Sequence, residues 1–193
     1  MTSQLLLDLT FDALYGSIGV LVFVILERGI YLSYLAWRAR QLHHTIEADR
    51  GAVKNELAAL RSRDPISRAA VRYTQLLATG ASRERQEDYS SALFIGVDKT
   101  VSARLWILDT LVTAAPLLGL LGTILGIMDT FNALSSGGVT DPAAVSRGIG
   151  TALRATAIGI AAALLGLLGN NVLNRRAHVL TEDFKAILLS LTP

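Results

Sequence analysis

The sequence predicts an all-α integral membrane protein with three transmembrane helices. About half of the residues are apolar and the mean hydropathy is +0.44, which is typical of a membrane protein rather than of a large soluble core. A helix needs about 20 largely apolar residues to cross the hydrocarbon core of a bilayer, and three stretches of the chain are that long. We place the spans at residues 13–37, 105–134 and 148–174. Charged residues fall mainly in the blocks between and after these spans.

The placement of the basic residues predicts the orientation of the spans. The net charge is only +2, which does not indicate nucleic-acid binding. Most lysines and arginines lie in segment 38–104 or in the tail, 175–193, whereas residues 1–12 have none and the 135–147 loop has none before Arg147. By the positive-inside rule, segment 38–104 and the C-terminus are cytoplasmic. The N-terminus and the short loop are then periplasmic.

The N-terminal segment 1–12 mixes leucines with Asp8 and Asp12, which predicts an amphipathic helix on the periplasmic surface. The chain starts without a basic region or a small-residue cleavage site, so we expect the first span to be retained rather than cleaved as a signal. The aromatic residue Trp37, followed by Arg38, marks the cytoplasmic end of this span.

Segment 38–104 is predicted to form a cytoplasmic helical domain. Asp64-Pro65 is a helix stop and restart, and Gly80 is a second break. The expected helical pieces are roughly 38–62, 65–79 and 82–104. We expect the outer two pieces to continue the membrane helices, and the pieces to pack together through apolar residues at helical spacing. The helix of the third span is expected to begin at Asp141 or Pro142, before it enters the bilayer, and the tail is expected to form a short amphipathic helix.

The second span has one face of small and hydroxyl residues. At 100° per residue, one narrow arc contains Pro116, Gly119, Gly122, Thr123, Gly126 and Thr130. Leucines, isoleucines and a methionine occupy the opposite arc. This asymmetry is typical of a membrane helix that faces lipid on one side and other helices or a pore on the other.

The third span has a similar face, which covers about 140° of arc. It contains Gly148, Thr151, Ala152, Ala155, Thr156, Gly159, Ala162, Ala163, Gly166, Gly169 and Asn170. Glycines and alanines are explained by close helix packing, but threonines are explained less well. Thr123 and Thr156 each lie about eight residues from the outer end of their span, so they sit at similar depth. In several assembled copies, such hydroxyls could form a polar ring that binds water or a partner's carboxyl group.

Other chemistry is not indicated. The chain has no cysteine, which excludes disulfides and thiolate metal sites. His43 and His44 are adjacent, so on a helix they do not share a face and make a poor metal site. The sequence has no Walker motif, catalytic triad or zinc motif. We therefore expect no metal, no cofactor and no enzyme activity, and a transmembrane proton gradient as the energy source.

Four segments resemble the MotA/TolQ/ExbB proton-channel family: APLLGLLGTILGIMDTF at 115–131, GIGTALRATAIGIAAALLG at 148–166, NNVLNR at 170–175 and ILERGIYL at 25–32. The last is similar to the glutamate-arginine pair that ends the first span in that family. Three spans favour the ExbB/TolQ branch, because MotA-type flagellar stators have four.

The resemblance implies a subunit of the bacterial inner membrane that forms a homopentamer around a single-span partner of ExbD or TolR type. That partner carries an aspartate in its own span. Proton flow past the aspartate would energise a periplasm-spanning effector such as TonB, in outer-membrane import, or TolA. Thr123 and Thr156 match the family's pore-lining threonines. The expected pore-lining residues are Thr123, Thr156, Thr151, Gly119, Gly122, Gly126, Pro116, Ala152 and Gly159.

Three departures from the family pattern affect the third span. The proline usual in the family's A-I-P segment is missing, and residues 160–162, Ile-Ala-Ala, stand in its place. Thr151 stands where the motif G-I-x-E-A-L-x-A-T has glutamate, and Arg154 stands at a usually apolar position. An arginine inside a bilayer is costly unless it snorkels or pairs, and Asp129 or a lipid phosphate is a plausible mate. These departures keep two alternatives open: a non-conducting membrane scaffold, and a subunit coupled to another ion such as sodium.

Further charges near the inner ends of the spans have two interpretations each. Glu27 belongs to a proton exit or partner contact, or else forms a salt bridge with Arg28, for example across a subunit boundary; we favour the salt bridge. Asp109 either attracts cations at the inner mouth of the pore or pairs with Arg104 or Lys99.

Overall fold

The computed structural model describes residues 2–48, 64–137 and 142–191. Within these ranges every regular element is an α-helix, which confirms the all-α prediction. In chain order the helices are α1 (Thr2–Ala48), α2 (Pro65–Ala78), α3 (Arg83–Val101), α4 (Leu105–Gly137) and α5 (Pro142–Leu191). Three of them contain stretches long and apolar enough to cross a membrane: Leu5–Gln41, Leu105–Ser135 and Pro142–Leu189. The prediction of three candidate spans is confirmed.

The chain divides into two units. The first unit combines Met1–Leu26 with Arg104–Asn171, and the second combines Glu27–Ala103 with Val172–Pro193. Each unit brings together segments that are distant in the sequence, and each is described by itself below.

The first unit packs α1 and α4 against the small residues of α5. A Cβ atom added at Gly166 would lie 2.8 Å from Leu21 Cδ1 of α1 and 2.8 Å from Val112 Cγ2 of α4. At Gly169 an added Cβ would collide with the side chain of Ile25. Large side chains of the neighbouring helices therefore fill grooves that the glycines of α5 leave open, as is typical of packing inside membranes.

The second unit has a core of apolar side chains from α2, α3 and the last turns of α5. Its fully buried residues include Ile66, Ala70, Tyr73, Val101, Phe184 and Ile187. Of the packing expected between the helical pieces, the described residues show α2 packed against α3. Arg176 Nη1 of α5 donates a hydrogen bond of 3.0 Å to Ser33 Oγ of α1, which joins these two helices within the unit.

Several helix boundaries differ from the expectations. Segment 1–12 is not a separate element, because α1 is continuous from Thr2. The described part of the tail, 175–191, is likewise part of α5, which no glycine or proline interrupts after Gly169. The expected continuation of piece 82–104 into the second span is wrong: α3 ends at Val101, and Arg104 has φ 67°, a left-handed conformation that breaks the α-helix. Residues 49–62 of the first expected piece lie outside the described residues.

The two helix starts expected in segment 38–104 are present and differ in one respect. Asp64 caps α2, because its carboxylate accepts a 2.8 Å hydrogen bond from the Ser67 amide, and Pro65 occupies the first turn. Ser82 occupies the equivalent position before α3 but makes no side-chain capping hydrogen bond.

Replacing Asp64 with alanine is therefore expected to cost about 1 to 2 kcal/mol of stability, since it removes the cap of α2. Ser82→Ala is the matched control and should leave stability nearly unchanged, because Ser82 caps nothing with its side chain. The thermal unfolding midpoint in detergent, followed by far-UV circular dichroism, measures both. Equal shifts for the two variants would contradict the assigned cap.

Candidate functional site

The small faces of α4 and α5 pack against each other along what we call the α4–α5 seam. Its small residues are Gly119, Gly122, Gly126, Ala152, Ala155 and Gly159, all of them buried. A Cβ atom added at Gly119 would lie 2.8 Å from Ala155 O, and one added at Gly159 would lie 2.5 Å from Ala115 O. The two backbones approach so closely that no larger residue fits at either position. Close packing therefore accounts for these glycines within one chain, while their predicted role in lining a pore stays a prediction.

The seam also brings Thr123 and Thr156 together. Their hydroxyl groups are hydrogen-bonded to each other. Thr123 Oγ1 also lies 3.1 Å from Gly119 O and 3.2 Å from Ala152 O, and Thr156 Oγ1 lies 3.1 Å from Gly119 O. Both residues are half-buried. The similar depth expected for the two threonines thus corresponds to a direct polar contact between the helices.

A second polar pair lies toward the other end of the seam. Asn170 Nδ2 of α5 donates a hydrogen bond to Asp109 Oδ1 of α4. Asn170 is only 6% exposed, whereas Asp109 is exposed. This partner of Asp109 was missed in the sequence, where Arg104 and Lys99 were considered. The signal was nevertheless present: Asp109 precedes Thr123 by fourteen residues, and Asn170 follows Thr156 by the same number.

The remaining predicted residues of the third span do not join these pairs. Thr151 is exposed, and its hydroxyl donates to Arg147 O at 3.0 Å on the same helix. Arg154 is exposed and, among the described residues, makes no ion pair with Asp129. Asp129 is half-buried and has interactions of its own. Pairing with Asp129 is thus not made within this chain, and lipid phosphate as a mate of Arg154 stays a prediction.

On α4, Pro116 is half-buried within the helix, and Gly122 faces both neighbouring helices of the unit. A Cβ atom added at Gly122 would lie 2.7 Å from Ala155 Cβ of α5 and 3.6 Å from Thr10 Cγ2 of α1. Gly122 therefore lies where three helices meet.

Glu27 and Arg28 form an ion pair in the second unit. Arg28 Nε lies 3.3 Å from Glu27 Oε2, and the guanidinium carbon lies 5.2 Å from the centroid of the Tyr31 ring. Arg28 is only 5% exposed, so its charge is balanced by the carboxylate and by the face of the ring. The contact joins neighbours in one chain, as in the salt-bridge interpretation, and a bridge across a subunit boundary stays a prediction.

Among the residues that the structure describes, no group of three or more histidine, cysteine, aspartate or glutamate side chains is placed to hold a metal ion. The polar groups of the seam are hydroxyls, an amide and a carboxylate. They can exchange hydrogen bonds with water and, at Asp109, a proton.

The fold and the seam define a multi-pass helical membrane protein whose second and third spans pack through small residues and two polar pairs. The sequence model of the MotA/TolQ/ExbB proton channel family matches residues 58–186. The chain therefore belongs to this family.

The chain is similar to several members of the ExbB/TolQ branch. It is 40% identical over 85 residues to the biopolymer transport protein ExbB of Helicobacter pylori, which covers 44% of this chain and 59% of that protein. It is 32% identical over 170 residues to an ExbB homolog of Methanothermobacter thermautotrophicus, or 79% of this chain and 58% of that protein. With the Tol-Pal system protein TolQ of Haemophilus influenzae it shares 36% identity over 86 residues, 45% and 38% of the two chains. In each case the match spans less than two thirds of the relative.

Proposed function

We propose that this chain is the proton-channel, stator-like subunit of an inner-membrane complex of ExbB–ExbD or TolQ–TolR type, and that it is not an enzyme. Family membership and the three candidate spans support the general role. The observation that carries the specific proposal is the Thr123–Thr156 pair, which places two half-buried hydroxyls between two predominantly apolar membrane helices.

The pair is suited to hydrating a path across the membrane. Inside hydrocarbon an unpaired polar group costs several kcal/mol, so water or a carboxyl group gains most from a site that already holds hydroxyls and carbonyls. Thr123 and Thr156 supply two hydroxyls, and Gly119 and Ala152 supply backbone oxygens within 3.2 Å of them. A partner's membrane aspartate that reached this position would find hydrogen-bonding groups at its own depth.

The proposed assembly is a homopentamer around a single-span, ExbD- or TolR-like protein, coupled to a TonB- or TolA-like effector. The N-terminus is periplasmic and the C-terminus cytoplasmic.

Exposed apolar side chains on α4 support contacts with lipid or with further protein: Leu117 is 64% exposed, Leu120 52% and Ile124 50%. Exposed apolar surface of this kind is expected where a membrane helix meets lipid tails or another subunit.

A non-conducting scaffold is the second candidate. The tight glycine packing of the seam favours it, because this packing assembles helices without requiring a pore. The absence of the family glutamate at Thr151, which is exposed, points the same way. A sodium-coupled subunit remains the third candidate.

Proton uptake into liposomes tests the proposal. Vesicles hold this chain with its single-span partner, and a pH-sensitive dye reports uptake driven by a potassium diffusion potential. We expect uptake with the wild-type partner and none when the partner's membrane aspartate is asparagine. Uptake that needs sodium would favour the third candidate. An assembled complex that conducts neither ion, with or without the effector's periplasmic segment, would favour the scaffold.

A further inference from the structure

The two polar pairs of the seam stand in register. Asp109 and Thr123 are fourteen residues apart on α4, and Thr156 and Asn170 are fourteen residues apart on α5. Fourteen residues span about 21 Å along a helix and bring the second residue to within about 40° of the first. Because the helices are antiparallel neighbours, Asp109–Asn170 lies on the same seam as Thr123–Thr156, about 21 Å along it.

Asp109 is held in place by a neutral group. The buried Asn170 amide donates to Oδ1, and the nearby Thr113 hydroxyl donates to the backbone oxygen of Asp109, at 2.7 Å, rather than to its carboxylate. Asn170 is only 6% exposed, and a buried donor is costly to leave without its acceptor, so this hydrogen bond keeps the carboxylate oriented. Oδ2 has no hydrogen-bond partner within the described parts of the chain, and the residue is exposed.

The neutral partner distinguishes Asp109 from an anchoring charge. Glu27 is paired with a cation, Arg28, whereas Asp109 makes no ion pair within the described ranges 2–48, 64–137 and 142–191. Its negative charge is therefore not compensated by a cation there. An ionisable group near the end of a membrane span, oriented by a buried amide and open on one oxygen, is suited to taking up and releasing a cation.

We propose that Asp109, positioned by Asn170, is a second proton-carrying station on the path that passes Thr123 and Thr156. This inference rests on the proposed channel function. A hydronium ion on the path transfers its proton to Oδ2, which forms the neutral acid and leaves water. The acid then gives the proton to water at the end of the span where α4 begins, and the carboxylate is restored. At about 21 Å the two pairs cannot exchange a proton directly, so water along the seam connects them.

Asp109→Asn is the central test, in the same liposomes and with the wild-type partner. Asparagine keeps the size of the side chain and an oxygen for Asn170 but cannot carry a proton at ordinary pH. We expect at least about a tenfold loss of proton uptake, which corresponds to a barrier increase of about 1.4 kcal/mol or more. Asp109→Glu should retain most of the uptake. Asp88→Asn, the same change at an exposed carboxylate of α3, should have no effect.

A double-mutant cycle tests the role of Asn170. Asn170→Leu keeps the branching and the number of heavy atoms but removes the donor, and we expect a partial loss of uptake. If Asn170 acts through Asp109, the double variant should lose no more than Asp109→Asn alone. If the two substitutions reduce proton uptake independently, so that the double variant shows the product of the two losses, Asn170 has a structural role and its positioning role is overturned.

The outcomes separate this inference from the proposed function. If the wild-type complex shows no partner-dependent uptake, the channel function itself fails. If the wild-type complex takes up protons and the Asp109→Asn complex takes them up equally well, Asp109 does not carry protons and the proposed channel function stands. An Asp109→Asn chain that no longer assembles with its partner would give the carboxylate a structural role, and would also overturn the inference.

Discussion

Replacing Thr156 with valine is expected to abolish partner-dependent proton uptake while leaving the complex assembled. Valine has nearly the shape of threonine, so the packing of α5 against Gly119 is preserved. The hydroxyl that contacts Thr123 and Gly119 O is lost, however, and a methyl group takes its place in the seam. Water or a carboxyl group at that depth would then lose one of its two hydroxyl partners.

Thr110→Val is the matched control for this prediction. Thr110 lies on α4 and is exposed, and its hydroxyl donates at 3.0 Å to Trp106 O of the same helix. The Thr110→Val complex should take up protons like the wild-type complex. Co-purification with the single-span partner verifies assembly for both variants. Normal coupling in Thr156→Val would show that the threonine pair does not belong to the proton path.

Gly159→Ala is expected to have the largest effect on folding. The added methyl group would lie 2.5 Å from Ala115 O and 3.1 Å from the Cα atom of Gly119, and these are backbone atoms that no rotamer change can move. The helices must separate locally, and overpacking of this kind typically costs about 1 to 3 kcal/mol. Because Thr156 is one turn away on the same helix, separation also weakens its contact with Thr123.

Gly150→Ala, nine residues earlier on α5, provides the control, since an added Cβ there meets nothing within 4 Å. The thermal unfolding midpoint and the yield of folded protein in detergent compare the two variants. We expect a clear decrease for Gly159→Ala and none for Gly150→Ala, because alanine is the better helix former. Equal behaviour would contradict the close approach of the two backbones.

Much of the fold follows from local features of the sequence. Apolar length identifies the three candidate spans, and Asp64-Pro65 and Gly80 identify the ends of α2. Helical periodicity places the small residues of α4 and α5 on single faces, and counting from the span ends places Thr123 and Thr156 at one depth. These features depend on one helix at a time.

The features that the sequence did not predict depend on contacts between helices, or on a helix end that no glycine or proline marks. The Asp109–Asn170 pair requires the register of α4 against α5, which periodicity alone does not define. The break before α4 occurs at Arg104, in a segment with no glycine or proline, so no breaker residue marks it. Whether Arg154 pairs with Asp129 or with a lipid phosphate also depends on contacts beyond one helix, and within the described residues of this chain the two side chains do not pair.

The threonine pair also has a consequence for the charge state of whatever binds it. Two hydroxyl hydrogens are shared among Gly119 O, Ala152 O and the partner hydroxyl oxygen, so the site holds more acceptors than donors. A carboxylate needs donors, whereas a carboxylic acid brings its own hydrogen. An acidic group that reached the pair would therefore be bound better in its neutral form, and under the proposed function the seam would discriminate between the loaded and the empty proton carrier.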